Sequence, residues 1–140
     1  MVNARSKGRR GEREVIDVIK SLLGIQLEVN YSQTFGGGHD LLGLDGFAIE
    51  VKRRKQITQA DLKNFWKQTT RQAIKADLLP CLWFRADRSE WRVMIADLYA
   101  LKKGLFEIED FNIASNISTE LFAAIMREEF NLGTLNISTQ

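Results

Sequence analysis

Residues 46–55 read GFAIEVKRRK, and this stretch constrains the chain more than any other. Its apolar residues alternate, so Phe47, Ile49 and Val51 turn to one face of a strand and toward a core. Glu50 and Lys52 then share the opposite face, an acid beside a base, just before a basic run. Immediately upstream, DLLGLDG (40–46) ends in an Asp45-Gly46 pair. Such a pair between apolar stretches marks a tight turn, so 40–52 reads as a β-hairpin that returns Asp40 toward Glu50.

The remaining elements follow from periodicity. Val15, Val18, Ile19 and Leu22 predict an amphipathic helix over 11–24, with Gly24 as its stop. At about 100° per residue, Glu12 falls in line with Ile19 and Leu23, whereas Glu14 falls on the wet side. A carboxylate on the apolar face is costly without a partner. It either caps its own helix N-terminus, where negative charge is favoured, or serves a site. Residues 25–35 read as a strand running into a turn, and the triple glycine of GGGHD (36–40) follows. A second helix is predicted over 58–75, with Thr58 as N-cap and Leu62, Phe65, Trp66 and Ile74 on or near one face. Two strands, 78–85 and 90–96, are joined by the polar turn ADRS. A short helix over 97–104 and a longer one over 118–130, capped by Ser118 or Thr119, complete the list. Residues 105–117 carry no readable pattern. The expected fold is α/β (α+β), a mixed central sheet flanked by helices, with an additional helical C-terminal segment.

With 140 residues, 44% hydrophobic, 27% charged and a single proline, the chain suits one compact domain, its core at about 7–96 and its extension at about 97–140. The lone Cys81 lies in the apolar run LLPCLWF, which predicts a buried thiol in a reducing compartment. No apolar stretch approaches the roughly 20 residues of a membrane span. The N-terminal MVNARSKGRRGE lacks a signal-peptide core. A cytoplasmic protein without a membrane partner is expected. Charge is unevenly spread. Residues 1–10 hold four bases and no acid, 46–75 hold eight bases against Glu50 and Asp61, and 97–140 hold three bases against seven acids. One basic face for a polyanion, and an acidic region kept away from it, is the pattern this predicts.

Asp40 and Glu50 on adjacent strands offer two hard oxygen donors, which suit Mg²⁺. A lysine beside such an ion can orient an attacking water and stabilise charge developing on a phosphate. These residues resemble the PD-(D/E)XK nuclease superfamily, whose signature is an acid, a spacer, then acid-any-lysine: here Asp40, then Glu50-Val51-Lys52. KGRRGEREV (7–15) is similar to the glycine, three residues and Glu-Arg-Glu that open archaeal-type Holliday junction resolvases, with Gly8, Glu12 and Arg13 matching. The resemblance covers about residues 7–96.

The resemblance implies a restriction-endonuclease-like core and a metal-dependent DNA endonuclease that hydrolyses phosphodiesters, in branched or structured DNA. It implies Asp40, Glu50 and the Val51 backbone carbonyl as ligands to Mg²⁺, with Mn²⁺ as substitute. Lys52 would assist the water, and Glu12 would complete the acidic cluster, through a water if not directly. Arg13 would contact a phosphate or orient the acids, and Gln68 is similar to a polar residue that superfamily members place near the site. The basic residues Lys7, Arg9, Arg10, Arg53, Arg54 and Lys55 flank the site in sequence, where phosphate-neutralising charge belongs. His39 is either a site residue or a solvated loop histidine. Phe65-Trp66 is either core or a base-stacking pair. DNA is the expected partner, a homodimer the expected assembly because two symmetric cuts need two sites, and the acidic C-terminal segment a surface for a protein partner. The competing reading is a DNA-binding module, or a subunit of a nucleoprotein assembly, that uses the same fold without cutting.

Overall fold

A computed structural model describes residues 4–32 and 38–134, with side chains from residue 8 onward. Its elements are α1 (Ala4–Leu23), β1 (Glu28–Val29), β2 (Leu41–Leu42), β3 (Phe47–Arg54), α2 (Gln59–Ala76), β4 (Leu79–Ala86), β5 (Arg92–Ala96), α3 (Leu98–Lys103), a 3₁₀ turn (Phe111–Ile113), β6 (Ala114–Ser118) and α4 (Thr119–Phe130). The six strands form one mixed sheet in chain order, β1 through β6. Among the described residues only β3 and β4 run parallel, with α2 as their crossover, and the other neighbouring pairs are antiparallel. Parallel strands need such a long connection, which is why the one long helix between strands sits there. Among the described residues no helix is long and apolar enough to cross a membrane.

The alternation in β3 sorts its side chains between two cores. Phe47, Ile49 and Val51 join Val15, Ile19 and Leu23 of α1, Trp83 of β4, and Phe122 and Met126 of α4 on one face. Trp83 meets Phe122 edge to face, with ring centroids 5.3 Å apart. Leu62 and Trp66 of α2 pack on Leu82, Phe84 and Met94 on the other. The helices thus cover both faces, and Glu50 lies under α2 rather than in water, 2% exposed. Cys81 is buried and free, as its apolar run predicts.

Several elements differ from the sequence expectation. The first helix begins at Ala4, seven residues early, because the basic run 4–10 consists largely of good helix formers. Glu12 therefore sits in the third turn, far from the orphan N–H groups, and does not cap its own helix. Glu14 is not on a wet face. Its carboxylate accepts from Trp91 Nε1 at 2.9 Å and pairs with Arg85 at 2.5 Å. Ile74 is half exposed rather than on the apolar face. In the unreadable stretch, β6 forms the sheet edge and pairs with β5 from Arg92↔Ser118 to Ala96↔Ala114. The acidic segment thus contributes a strand as well as helices to the sheet and its cores.

The hairpin and caps follow expectation. The Phe47 N–H donates to the Leu44 carbonyl at 3.1 Å, closing a turn around Asp45-Gly46. Gly46 has φ +85°, which a side chain at that turn position would resist. Thr58 caps α2 in a reciprocal box with Asp61, and Ser118 caps α4. Of the triple glycine, Gly36 and Gly37 lie outside the described residues.

Candidate active site

The hairpin delivers Asp40 to Glu50 through its backbone. The Asp40 N–H donates to the Ile49 carbonyl at 2.8 Å, and the Asp40 carbonyl accepts from the Asn30 N–H at 2.8 Å. The Asp40 carboxylate then accepts from the Val51 N–H at 2.8 Å, which fixes its rotamer at the strand end. Within a strand the N–H and C=O of one residue point the same way. The Val51 carbonyl therefore faces the Asp40 side, past the end of β2, rather than β4. Glu50 lies within hydrogen-bonding reach of Asp40, and Lys52 Nζ stands 3.9 Å from Glu50 Oε2 with its side chain 12% exposed. The ammonium also lies 5.4 Å over the Phe65 ring. This is no surface ion pair.

Burial and charge set the protonation of the acids. Burial, then the Asp40 charge, push the Glu50 carboxyl up to about 9, against the opposing pull of Lys52. Burial, then Asp40, push Glu12 up to about 7, and Arg9 partly offsets this. Glu12 is buried, and its Oε1 has no protein partner. His39 is half-buried beside Asp40, and desolvation lowers its pKa below the usual 6.5.

Two adjoining carboxyls, one of them buried under α2, favour a shared proton or a cation between them. The oxygen donors of Asp40, Glu50 and the Val51 carbonyl fit a hard divalent ion. The unpartnered Glu12 oxygen suits a water in the next shell. Among the described residues no three His, Cys, Asp or Glu side chains converge closely enough to cage a metal. Glu12 is still near enough that, after burial and the Asp40 charge, its own charge also raises the Glu50 pKa.

The other expected site residues separate into three groups. Arg9, Arg10 and Arg13 lie on the exposed side of α1, with Arg9 stacked 5.4 Å over Tyr31. The Lys7 side chain lies outside the described residues. Arg54 sits 5.5 Å over Phe65, and Lys55 is exposed at the strand end. Phe65 is thus a half-buried platform for two cations, and Trp66 is core.

Arg53 departs from the expected phosphate contact. It pairs with Asp87 and donates to the Arg54 carbonyl at 3.1 Å. Its odd position puts it on the Val51 face, against α1. There Gly11 is required, since a Cβ at that position would stand 2.9 Å from Arg53 Cβ.

Gln68 is exposed and lines a groove instead of reaching the acids. Gln72, one turn later and absent from the sequence reading, does reach them. With its amide nitrogen turned to the two acceptors, it donates to Glu50 Oε1 and, at 2.9 Å, to the Gly38 carbonyl. The groove, about 690 Å³, runs between α2 and a wall that includes Asn30, Gly38 and His39.

Comparison with known proteins bears on this arrangement. Residues 3–132 match the family described as "Phage putative PDDEXK endonuclease". Protein D14 of Escherichia phage T5 is 28% identical over 114 residues, spanning 67% of this chain and 71% of that protein. Among solved structures the chain is similar to Archaeoglobus fulgidus Hjc, a Holliday junction resolvase. The TM-score is 0.43 at 23% identity, covering 63% of this chain and 71% of that one. The family match spans nearly the whole chain, from α1 through α4, and the chain belongs to the phage PD-(D/E)XK endonuclease family.

Proposed function

We propose that the protein is a Mg²⁺-dependent endonuclease that hydrolyses DNA phosphodiesters at the Asp40–Glu50–Lys52 edge of the sheet. Mn²⁺ would serve as a substitute, branched or structured DNA as the substrate, and a homodimer as the working assembly. The observation that carries this reading is the buried Glu50 carboxyl, set beside the half-buried Asp40 and 3.9 Å from Lys52 Nζ. PD-(D/E)XK nucleases generally use divalent metals. Asp40, Glu50 and the Val51 carbonyl would hold the ion, which when bound supplies Lewis-acid stabilisation of charge on the phosphate.

The side chains divide the remaining work. Val51 N–H keeps the Asp40 carboxylate aimed at Glu50, and Gln72 holds Glu50 from the other side. Lys52 stands where it can orient a water and stabilise negative charge on the phosphoryl oxygens as one P–O ester bond breaks. Glu12 offers its unpartnered oxygen as acceptor for a water at the margin of the pair. Arg9, Arg10, Arg13 and Lys55 supply exposed positive charge for neighbouring phosphates. The buried free thiol of Cys81 suits a reducing cytoplasm, and the acidic segment after residue 97 offers a face for a protein partner.

The test is incubation of labelled duplex, single-stranded, flap and four-way junction DNA with Mg²⁺ or EDTA, alongside Lys52→Ala. Metal-dependent cutting lost in Lys52→Ala is expected. Binding without cutting on every substrate would move the reading to a DNA-binding module.

A further inference from the structure

We propose that the groove beside the carboxylate pair is the track for an unpaired DNA strand leading away from the scissile phosphate. The protein then selects substrates with a single-stranded branch at the cut. This rests on the nuclease reading above and specifies its substrate.

Four features of the groove support it. First, Lys67, Arg71 and Lys75 recur every fourth residue along α2, so they form one line with a step of about 6 Å. That step is comparable with the distance between successive phosphates along one strand. All three are exposed, and the described lining of the groove holds no carboxylate. Second, the amides of Asn64 and Gln68 sit beside these cations, and amides both donate and accept, as base edges require.

Third, the opposite wall is braced. Asn30 Nδ2 donates to the His39 carbonyl at 3.0 Å, and Asn30 Oδ1 accepts from the Ser32 hydroxyl at 2.7 Å. This fixes the backbone of the half-buried His39, which lines the groove and whose imidazole is a side chain of the kind on which a base can stack. Fourth, the groove is continuous with the site, because Gln72 lines it and also donates to Glu50. A cleft of about 690 Å³ is of small-ligand size, so it admits a short run of one strand, whereas a duplex stays outside.

The experiment reads binding apart from cutting. A fluorescein-labelled oligothymidylate is titrated by anisotropy in EDTA, between about 50 and about 200 mM KCl. Wild type is compared with the pair Arg71→Ala and Lys75→Ala, and with the control pair Lys102→Ala and Lys103→Ala on α3. Each phosphate contact on a single strand contributes about 0.7 to the slope of log affinity against log salt. The groove pair is expected to lower that slope by about 1.4 and to weaken binding about 25-fold near 0.1 M salt. The charge-keeping pair Arg71→Lys and Lys75→Arg restores both.

An unchanged slope in the groove pair, or an equal loss in the α3 pair, overturns the strand track. A protein that shows the slope change yet cuts no DNA overturns the nuclease reading alone. One that cuts with the slope unchanged overturns the track alone.

Discussion

Replacing Glu50 by Gln should make the metal-free protein more stable at pH 8 while removing its chemistry. Glu50 is an acid whose folded pKa is raised from 4.5 to about 9. The folded state therefore holds the proton more tightly than the unfolded chain. The stability this provides is fully present below about 4.5 and is lost as pH rises toward 9. Each unit corresponds to about 1.36 kcal/mol, so between pH 5 and pH 8 wild type loses at most about 4 kcal/mol through this group. Water entry and side-chain relaxation around the ionised carboxylate offset part of this, and about 2 kcal/mol is expected.

Glutamine avoids the loss. Its oxygen accepts from Gln72 as Glu50 Oε1 does, and its NH₂ can donate to Asp40. Unfolding in EDTA, followed by fluorescence of the buried Trp66, Trp83 and Trp91, should place the variant about 6–8 °C above wild type at pH 8. The two should converge at pH 5. A variant no more stable than wild type at pH 8, or a gap that does not close on acidification, would refute the assignment of a protonated, desolvated Glu50.

Mg²⁺ should raise the melting temperature of wild type more at pH 8 than at pH 6, because binding at Asp40 and Glu50 displaces a proton. EDTA should reverse the gain, and scanning calorimetry of Glu50→Gln should show none. Lys52→Ala should slow cleavage by at least about 100-fold and weaken DNA binding by less than about tenfold, the scale of one phosphate contact; comparable losses in both assays would make Lys52 a binding residue. Gly11→Val should cost about 1–3 kcal/mol in urea unfolding, since its Cβ would press on Arg53 Cβ at 2.9 Å and approach Val51 and Trp91. A neutral result would mean that α1 can lift from β3 freely.

The parts of the fold that were legible in the sequence are those where one physical signal dominates. Alternation through Phe47, Ile49 and Val51 placed Glu50 and Lys52 on one face, and the Asp45-Gly46 turn brought Asp40 to them. Helical phase placed Glu12 on the buried side. The same parity argument, carried two residues further, puts Arg53 with Val51 on the α1 side, so its turn away from the Glu50 face was available to sequence reasoning, whereas its pairing with Asp87 was not. β6 was not, because ASNIS has only one large apolar residue and its pairing is set by β5. Nor was Gln72, since Gln68 and Gln72 share a helix face and only the seating of α2 on β3 decides which reaches Glu50. The start of α1 was not legible because residues 4–10 carry no apolar periodicity, although most of them favour helix.

The succession of strands β1 to β6 in chain order has a consequence for synthesis. Glu12, Asp40, Glu50 and Lys52 all precede residue 53, whereas the helix that shields Glu50 and the strand that flanks β3 follow residue 58. A nascent chain paused after β3 carries every proposed site residue but neither α2 nor β4, so the Glu50 carboxylate stays hydrated. On the proposed nuclease reading, cutting should therefore emerge only when α2 and β4 have left the ribosome.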